Sequence, residues 1–473
     1  MNLDNNIIPD NVDTIHLTAV CGTGMGALAC ILKDMGYTIS GSDHKVYPPI
    51  SDFLFDKGIH VIENFHGDNL SYRPDLVIIG NAVTKNNPEA VAVESMGLNF
   101  CSMPQALNRF MVGSKHPVMV TGTHGKTTTS SLMAWILFCA GLDPGFMIGG
   151  ILNNFNSNYR VGSGPHVVIE GDEYDTAFFD KGPKFLHYKP TVTILTGIEF
   201  DHADIFNDIM QIESVFEMLI SGLSKDSALI AFNENDRVLK LMERATCRTF
   251  TYGAQTDAFW RMGDIHIDPP WSKFDVYRGG NLYGRFKTRL MGKHNVMNAL
   301  SVIAACDDLR IPEDTIGKAL ETFAGVKRRQ EIRGRKKGIT VMDDFAHHPT
   351  AVRETLKGVR SFFRAGRIIA VFEPRTNTSM RNTFQATYSE SFDSADMICI
   401  RQPPLLDKIP EGERFSSEQL VGDLKKKGKN AVYFPDTPKI IDFLVSEARS
   451  GDLILIMSNG GFDNIHEKLL NSL

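Results

Sequence analysis

One glycine loop carries the most specific chemistry in the chain. Val118-Met-Val-Thr-Gly-Thr-His-Gly-Lys-Thr-Thr-Thr-Ser130 is an apolar run that turns through glycines into a threonine-rich stretch. A strand that feeds such a loop into a helix aims backbone N–H groups and the positive end of the helix dipole at one point, which suits phosphate. Gly122, Thr123 and Gly125 form the turn, Lys126 meets the outer phosphates of a nucleotide, Thr127 offers its hydroxyl to magnesium, and Thr128 follows. The full P-loop pattern asks for glycine where Val120 stands, so this is a shortened GxxGKT form. A structural turn capped by threonines is the competing reading.

Magnesium takes oxygen ligands and keeps several waters, so one or two groups besides Thr127 suffice. Glu170 closes the apolar run 167–169 and is the best carboxylate for that task. His202, in Asp201-His-Ala-Asp204 after the run 192–195, reaches the same cavity if the two strands are neighbours, although imidazole is an unusual magnesium partner. Asp172, Glu173 and Asp175 either orient an amine nucleophile or form a solvated acidic turn.

A second glycine turn, Cys21-Gly22-Thr23-Gly24-Met25-Gly26, follows the apolar run 14–20. With Asp43 downstream, Gly22-x-Gly24-x-x-Ala27 meets the dinucleotide fingerprint and on its own suggests NAD. Physically it reports only that a diphosphate can rest at a helix N-terminus, and a nucleotide sugar qualifies equally. Asn295 and Asn298 begin an apolar helix, where amides cap or line a pocket. Arg328 and Arg329 lie where a bidentate donor can swing onto phosphate during domain closure, with exposed linker charge as the alternative. Asp343-Asp-Phe-Ala-His-His-Pro349 and Phe372-Glu-Pro-Arg-Thr-Asn377 each end a further strand.

The elements that position these groups follow from length and pattern. A chain of 473 residues, 42% hydrophobic and 22% charged, exceeds one core and predicts two or three globular domains. Apolar runs leading to glycine-rich or acidic turns predict an α/β fold with open parallel sheets. Breaks near Gly113 and Val326 divide the chain into 1–113, 114–325 and 326–473. The net charge of -6 removes the footprint of a general nucleic-acid binder. Seven scattered cysteines without a CxxC pair, no export signal and no bilayer-length apolar stretch predict a cytoplasmic protein with no membrane anchor.

In combination, Gly122–Thr128, Glu170–Asp175, Glu199–His202, His294–Asn298, Arg328-Arg329 and Asp343–Pro349 resemble the Mur ligases, ATP-dependent amide-forming enzymes of bacterial cell-wall synthesis and recycling. The resemblance spans essentially the whole chain. It implies a Rossmann-like UDP-binding domain, a central P-loop ATPase-like domain and a Rossmann-like C-terminal domain, which demotes NAD. Gly22, Thr23, Gly24, Met25, Gly26, Ser42, Asp43 and Asn81 then fall on the UDP-sugar side. Lys126 is expected on ATP phosphate, Thr127 and Glu170 on one magnesium, and His202 on a second. Asn295, Asn298, Arg329 and Asp344 are expected at the nucleotide and substrate side.

Two branches of the family accept UDP-N-acetylmuramate, one adding L-alanine and one adding the tripeptide L-alanyl-γ-D-glutamyl-meso-diaminopimelate during recycling. The segments Asp201–Phe206, Phe178–Lys181, Phe372–Thr378 and Ser458–Phe462 are more similar to the recycling branch. The carboxylates of a tripeptide need cationic and amide contacts, for which Arg375, Asn377 and Arg381 are candidates. His348, or the pair Asp172 and Glu173, is a candidate to orient or deprotonate the amine. Relatives hold the second magnesium with a carbamylated lysine, yet no lysine occurs between Lys189 and Lys225, leaving Glu213, Glu217, or His202 with waters. The rivals are the alanine-adding ligase, a folate polyglutamylating ligase, and a non-catalytic nucleotide-binding regulator.

Overall fold

Three sheet units follow one another along the chain, and the computed structural model describes residues 1–46 and 50–473. The first unit holds β1 (Thr14–Thr18), β2 (Thr38–Asp43), β3 (His60–Glu63), β4 (Leu76–Ile79) and β5 (Phe100–Ser102). They pair in parallel in the order β3-β2-β1-β4-β5, so the direction of winding reverses beside β1. Ligands of open α/β sheets sit at such a switch point, and the turn Gly22–Gly26 leaves the C-terminal end of β1 there. The expected strand 14–20 stops at Thr18 because Ala19 turns into the left-handed region, with φ of 66°. Asp43 holds the turn by accepting a 2.9 Å bond from the Cys21 N–H.

The central unit is a ten-stranded sheet with a small hairpin beside it. Its strands are β6 (His116–Thr121), β7 (Gly145–Leu152), β8 (Ser157–Arg160), β9 (His166–Gly171), then, after the separate hairpin β10 (Asp175–Ala177) and β11 (Asp180–Pro183), β12 (Val192–Leu195). The rest are β13 (Ala228–Phe232), β14 (Arg248–Gly253), β15 (Trp260–Asp268), β16 (Trp271–Arg278) and β17 (Asn281–Thr288). The order β17-β16-β15-β14-β13-β12-β6-β9-β7-β8 puts β6 between β12 and β9. The strands that precede His202 and Glu170 are therefore not neighbours, and each flanks the strand of the phosphate loop.

The C-terminal unit orders β18 (Glu331–Lys336), β19 (Ile339–Asp344), β20 (Ile368–Phe372), β21 (Met397–Arg401), β22 (Ala431–Phe434) and β23 (Leu453–Met457) as β18-β19-β23-β20-β21-β22. The segment that carries Arg328 and Arg329 leads directly into β18, which pairs antiparallel with β19. Every residue of β4, β12, β19, β20, β21 and β23 is buried, as expected for sheets covered on both faces by helices. The α/β class with parallel sheets is the one expected. Among the described residues no helix is long and apolar enough to cross a membrane.

Candidate active site

The phosphate loop is shaped by two glycines and the groups packed against them. Gly122 and Gly125 take φ of 119° and 81°, values that suit glycine, and Gly125 directly precedes the helix Lys126–Cys139. A Cβ at Gly125 would stand 2.7 Å from Oδ1 of Asn298, so the start of the helix Lys293–Asp308 closes against the loop. Asn298 donates to Asn295 at 3.3 Å, and Asn295 donates to the Gln330 side chain at 3.2 Å. The two amides thus tie the loop to the segment carrying Arg329. Thr127 and Thr128 are buried in the first helical turn.

Lys126 lies at the centre of an acidic cluster. Its ammonium donates to the Gly122 carbonyl at 2.8 Å and to Glu173 Oε2 at 3.0 Å, with Asp172 Oδ1 3.9 Å away. Burial opposes its charge, but Glu173 and Asp172 overcome this and hold its pKa above the usual lysine range. Oε1 of Glu173 stands 3.2 Å from Nε2 of His202. Burial lowers the His202 pKa, yet Glu173 and Asp201 leave it raised. Glu170, reached from the other side, accepts a 2.8 Å bond from the Gly149 N–H, while burial and the nearby Asp172 push its pKa up. Glu213 and Glu217 are paired elsewhere, with Arg237 at 2.8 Å and Arg244 at 3.4 Å. The carboxylate beside His202 is Glu173.

The C-terminal unit separates the two arginines. Arg328 donates to the carbonyls of Ser458 at 2.6 Å and Gly460 at 2.7 Å, anchoring that loop. Arg329 lies over the Phe345 ring, 4.5 Å from its centroid, and feels Asp344 and Glu170 although burial lowers its pKa. Asp344 is buried and accepts from the Gln330 and Ala346 N–H groups, both at 2.8 Å, so it holds the Arg329 segment in shape.

A cavity of about 950 Å³ runs between the first and central units. Gly22, Thr23, Gly24, Met25, Asp43 and Asn81 line one end, and Glu170 and Asp172 the other. Two residues expected there, Ser42 and Gly26, do not line the cavity. Ser42 is fully buried and its hydroxyl donates to Glu89 at 2.7 Å, because alternation along β2 turns it away from the cavity that Asp43 faces. Gly26 is buried too, and a Cβ there would collide with Ile50, so its smallness serves helix packing.

Of the residues expected to meet the peptide, Arg375 is part-exposed with its guanidinium 3.6 Å from Glu373, and Asn377 donates to Asp204 at 2.7 Å across the unit boundary. Arg381 is ion-paired with Glu413, so its charge is already matched. His348 has both ring nitrogens engaged. Nε2 meets the Phe200 carbonyl at 3.2 Å, and Nδ1 accepts from the Thr350 N–H at 3.3 Å, capping the helix Pro349–Phe362. Burial and His124 push its pKa down to about 4, which makes it a weak proton acceptor.

Sequence reasoning missed Lys184. Its ammonium is buried, sits 3.3 Å from Asp172 and 4.1 Å from the centre of the Tyr174 ring, and lines the cavity. It follows the β10–β11 hairpin, and no glycine loop or acidic motif marks it; only its proximity to Phe178–Lys181 is a signal. His44, Lys45, Phe65 and Tyr188 join the cavity wall in the same unannounced way.

Residues 14–115 match "Mur ligase family, catalytic domain", 120–306 match "Mur ligase middle domain", and 328–460 match "Mur ligase, glutamate ligase domain". The chain is similar to the UDP-N-acetylmuramate--L-alanyl-gamma-D-glutamyl-meso-2,6-diaminoheptandioate ligase of Haemophilus influenzae, 39% identical over 461 residues, covering 97% of this chain and 99% of that one. A solved murein peptide ligase from Psychrobacter arcticus superposes with a TM-score of 0.72 at 32% identity, covering 97% and 98%. A UDP-N-acetylmuramate-alanine ligase from Thermotoga maritima gives a TM-score of 0.81 at 26% identity, covering 97% and 98%.

Proposed function

The chain belongs to the Mur ligase family, and we propose that it joins L-alanyl-γ-D-glutamyl-meso-diaminopimelate to UDP-N-acetylmuramate with consumption of ATP. The observation that carries the reading is the cavity that leads from the diphosphate turn of the first unit to the carboxylates beside Lys126. Near-full-length identity of 39% to the tripeptide ligase, against 34% to an alanine-adding relative of similar coverage, favours the tripeptide over alanine as acceptor.

A carboxylate is a poor electrophile in water, so the lactyl carboxylate is first converted to an acyl phosphate by the γ-phosphoryl of ATP. Lys126 and the N–H groups of the Gly122–Thr128 loop hold the transferring phosphoryl, where charge develops. Lys184 lines the cavity and is the ammonium we assign to the carboxylate of the sugar acid. The peptide amine then attacks the acyl carbon and displaces inorganic phosphate, with Asp172 and Glu173, beside Lys126, to orient it; His348 serves instead in domain docking. Arg329 and Asp344 complete the nucleotide side, and Arg375 and Asn377 the peptide side. Closure of units 1–113, 114–325 and 326–473 on one another excludes water from the acyl phosphate.

The residues present fit magnesium. Thr127, Glu170 and His202, with Glu173 in place of the carbamylated lysine, offer mostly oxygen donors, and Glu170, whose pKa is raised by burial and then by nearby Asp172, is a carboxylate that a cation would stabilise in its charged form. Magnesium, when bound, neutralises phosphoryl charge. We place the reaction in the cytoplasm, where ATP is available.

The test is to supply magnesium ATP and UDP-N-acetylmuramate, add tripeptide or alanine, and follow phosphate release and product mass. Tripeptide-dependent phosphate with the mass of the conjugate is expected. Release driven by alanine alone, or no ATP consumption with either acceptor, overturns the reading.

A further inference from the structure

The phosphate loop meets the C-terminal unit at a cluster that the ligase reaction leaves unused. His124 from the loop, Glu199 from the segment after β12, and His348 from the end of the segment after β19 each bring one ligand atom within 4.8 Å of the others. Nε2 of His124 lies 3.1 Å from Glu199 Oε2, and Nδ1 of His348 lies 3.8 Å from the same oxygen. Ligands about 2.0–2.2 Å from a tetrahedral zinc ion stand about 3.3 Å apart, so the set needs only small side-chain shifts to close on one.

The surroundings orient these groups as a metal site requires. Nε2 of His348 is turned to the Phe200 carbonyl at 3.2 Å, the outer contact that fixes the tautomer and keeps Nδ1, 3.8 Å from Glu199 Oε2, as the unprotonated nitrogen. The Thr350 hydroxyl holds Glu199 Oε2 at 2.9 Å, the Thr123 hydroxyl accepts from the Glu199 N–H at 2.9 Å, and the Thr196 hydroxyl donates to the His124 carbonyl at 2.5 Å. The side chains of Glu199 and His348 are thereby held by second contacts, and His124 through its backbone carbonyl.

We propose that His124, Glu199 and His348 bind a zinc-class divalent cation that clasps the phosphate loop to the C-terminal unit, separately from the magnesium ligands Thr127, Glu170 and His202. Two imidazoles and one carboxylate suit zinc and disfavour magnesium, which prefers all-oxygen shells. A fourth position remains for water. The ion replaces the 3.3 Å contact from the Thr350 N–H to Nδ1. Because the ligands come from two units, the ion binds only the docked arrangement and stabilises it by mass action, so zinc slows any step that needs the units apart.

The test titrates zinc chloride into the full-length protein against a fluorescent zinc chelator, without nucleotide, and records melting temperature in parallel. One equivalent of tight zinc is expected, accompanied by a rise in melting temperature and not displaced by millimolar magnesium. Glu199→Gln and His124→Gln each weaken it by at least about tenfold, whereas His202→Gln leaves it unchanged. Having two variants guards against one that fails to fold, which the melt without zinc detects. Zinc affinity that survives both substitutions, disappears with His202→Gln, or is absent from the unaltered protein overturns the proposal.

Discussion

Glu173 divides its carboxylate between two partners, giving Oε2 to Lys126 at 3.0 Å and Oε1 to His202 at 3.2 Å. One buried side chain thereby sets both the phosphate-binding ammonium and the imidazole on the opposite side of β6. Glu173→Gln keeps the shape and removes the charge. Turnover is expected to fall by about 100-fold, or about 2.7 kcal/mol in transition-state terms, because two charge-assisted contacts weaken together. Steady-state kinetics checks this, with far-UV and near-UV circular dichroism confirming the fold; unchanged kcat removes Glu173 from the site.

Lys184→Met tests the ammonium that the hairpin delivers to the cavity. Loss of a charged hydrogen-bond donor to a substrate carboxylate costs about 1.5–3 kcal/mol, so kcat/KM for UDP-N-acetylmuramate should fall about 10- to 100-fold. KM for ATP should stay within about threefold, since Lys126 and the loop hold that substrate. An equal rise in both KM values points to collapse of the Asp172 cluster instead.

Gly125→Ala forces a side chain into a left-handed backbone at φ of 81° and against Asn298. The backbone alone costs about 1–2 kcal/mol, and the 2.7 Å approach to Oδ1 displaces Asn298. The expected outcome is a raised KM for ATP with a lower melting temperature. Normal ATP affinity measured by calorimetry would show that the loop adapts.

Glu89 is fully buried beneath the first sheet and accepts bonds from Thr18 and Ser42 at 2.7 Å, Asn69 at 2.7 Å and His16 at 3.3 Å. Burial raises its pKa, but the His16 bond and charge, with the Ser42 and Asn69 bonds, outweigh that and lower it below 4.5. A depressed folded-state pKa means stability that is present above the unfolded value near 4.5 and lost as pH falls through the folded one. Glu89→Gln should destabilise by about 2 kcal/mol at neutral pH and flatten the decline in melting temperature below pH ~4.5. Ser42→Ala should lower the melting temperature while leaving KM for the sugar nucleotide unchanged, since its hydroxyl serves Glu89. A changed KM would return Ser42 to the substrate site.

Sequence reasoning located the loop Gly122–Thr128, Glu170 and the turn after β1 because local chemistry dictates each. Glycine spacing, an apolar run and a following helix are properties of a dozen adjacent residues, and the strand 192–195 fell where its apolar run stood. It also named Asp172, Glu173 and His202, but left open whether they meet.

What the chain alone determined is therefore the set of chemically competent segments and their α/β setting, since periodicity and turn residues act over short range. Tertiary structure decided the rest. Insertion of β6 between β9 and β12 makes Glu173 the partner of His202, and the facing of alternate residues on β2 sends Ser42 to Glu89 and Asp43 to the cavity. Lys184 becomes part of the site only when the hairpin folds against Tyr174, and His348 meets His124 and Glu199 only when two units dock. These pairings join residues tens to hundreds of positions apart, and what fixes them is the packing of sheets and the burial of charge, neither of which leaves a local signature.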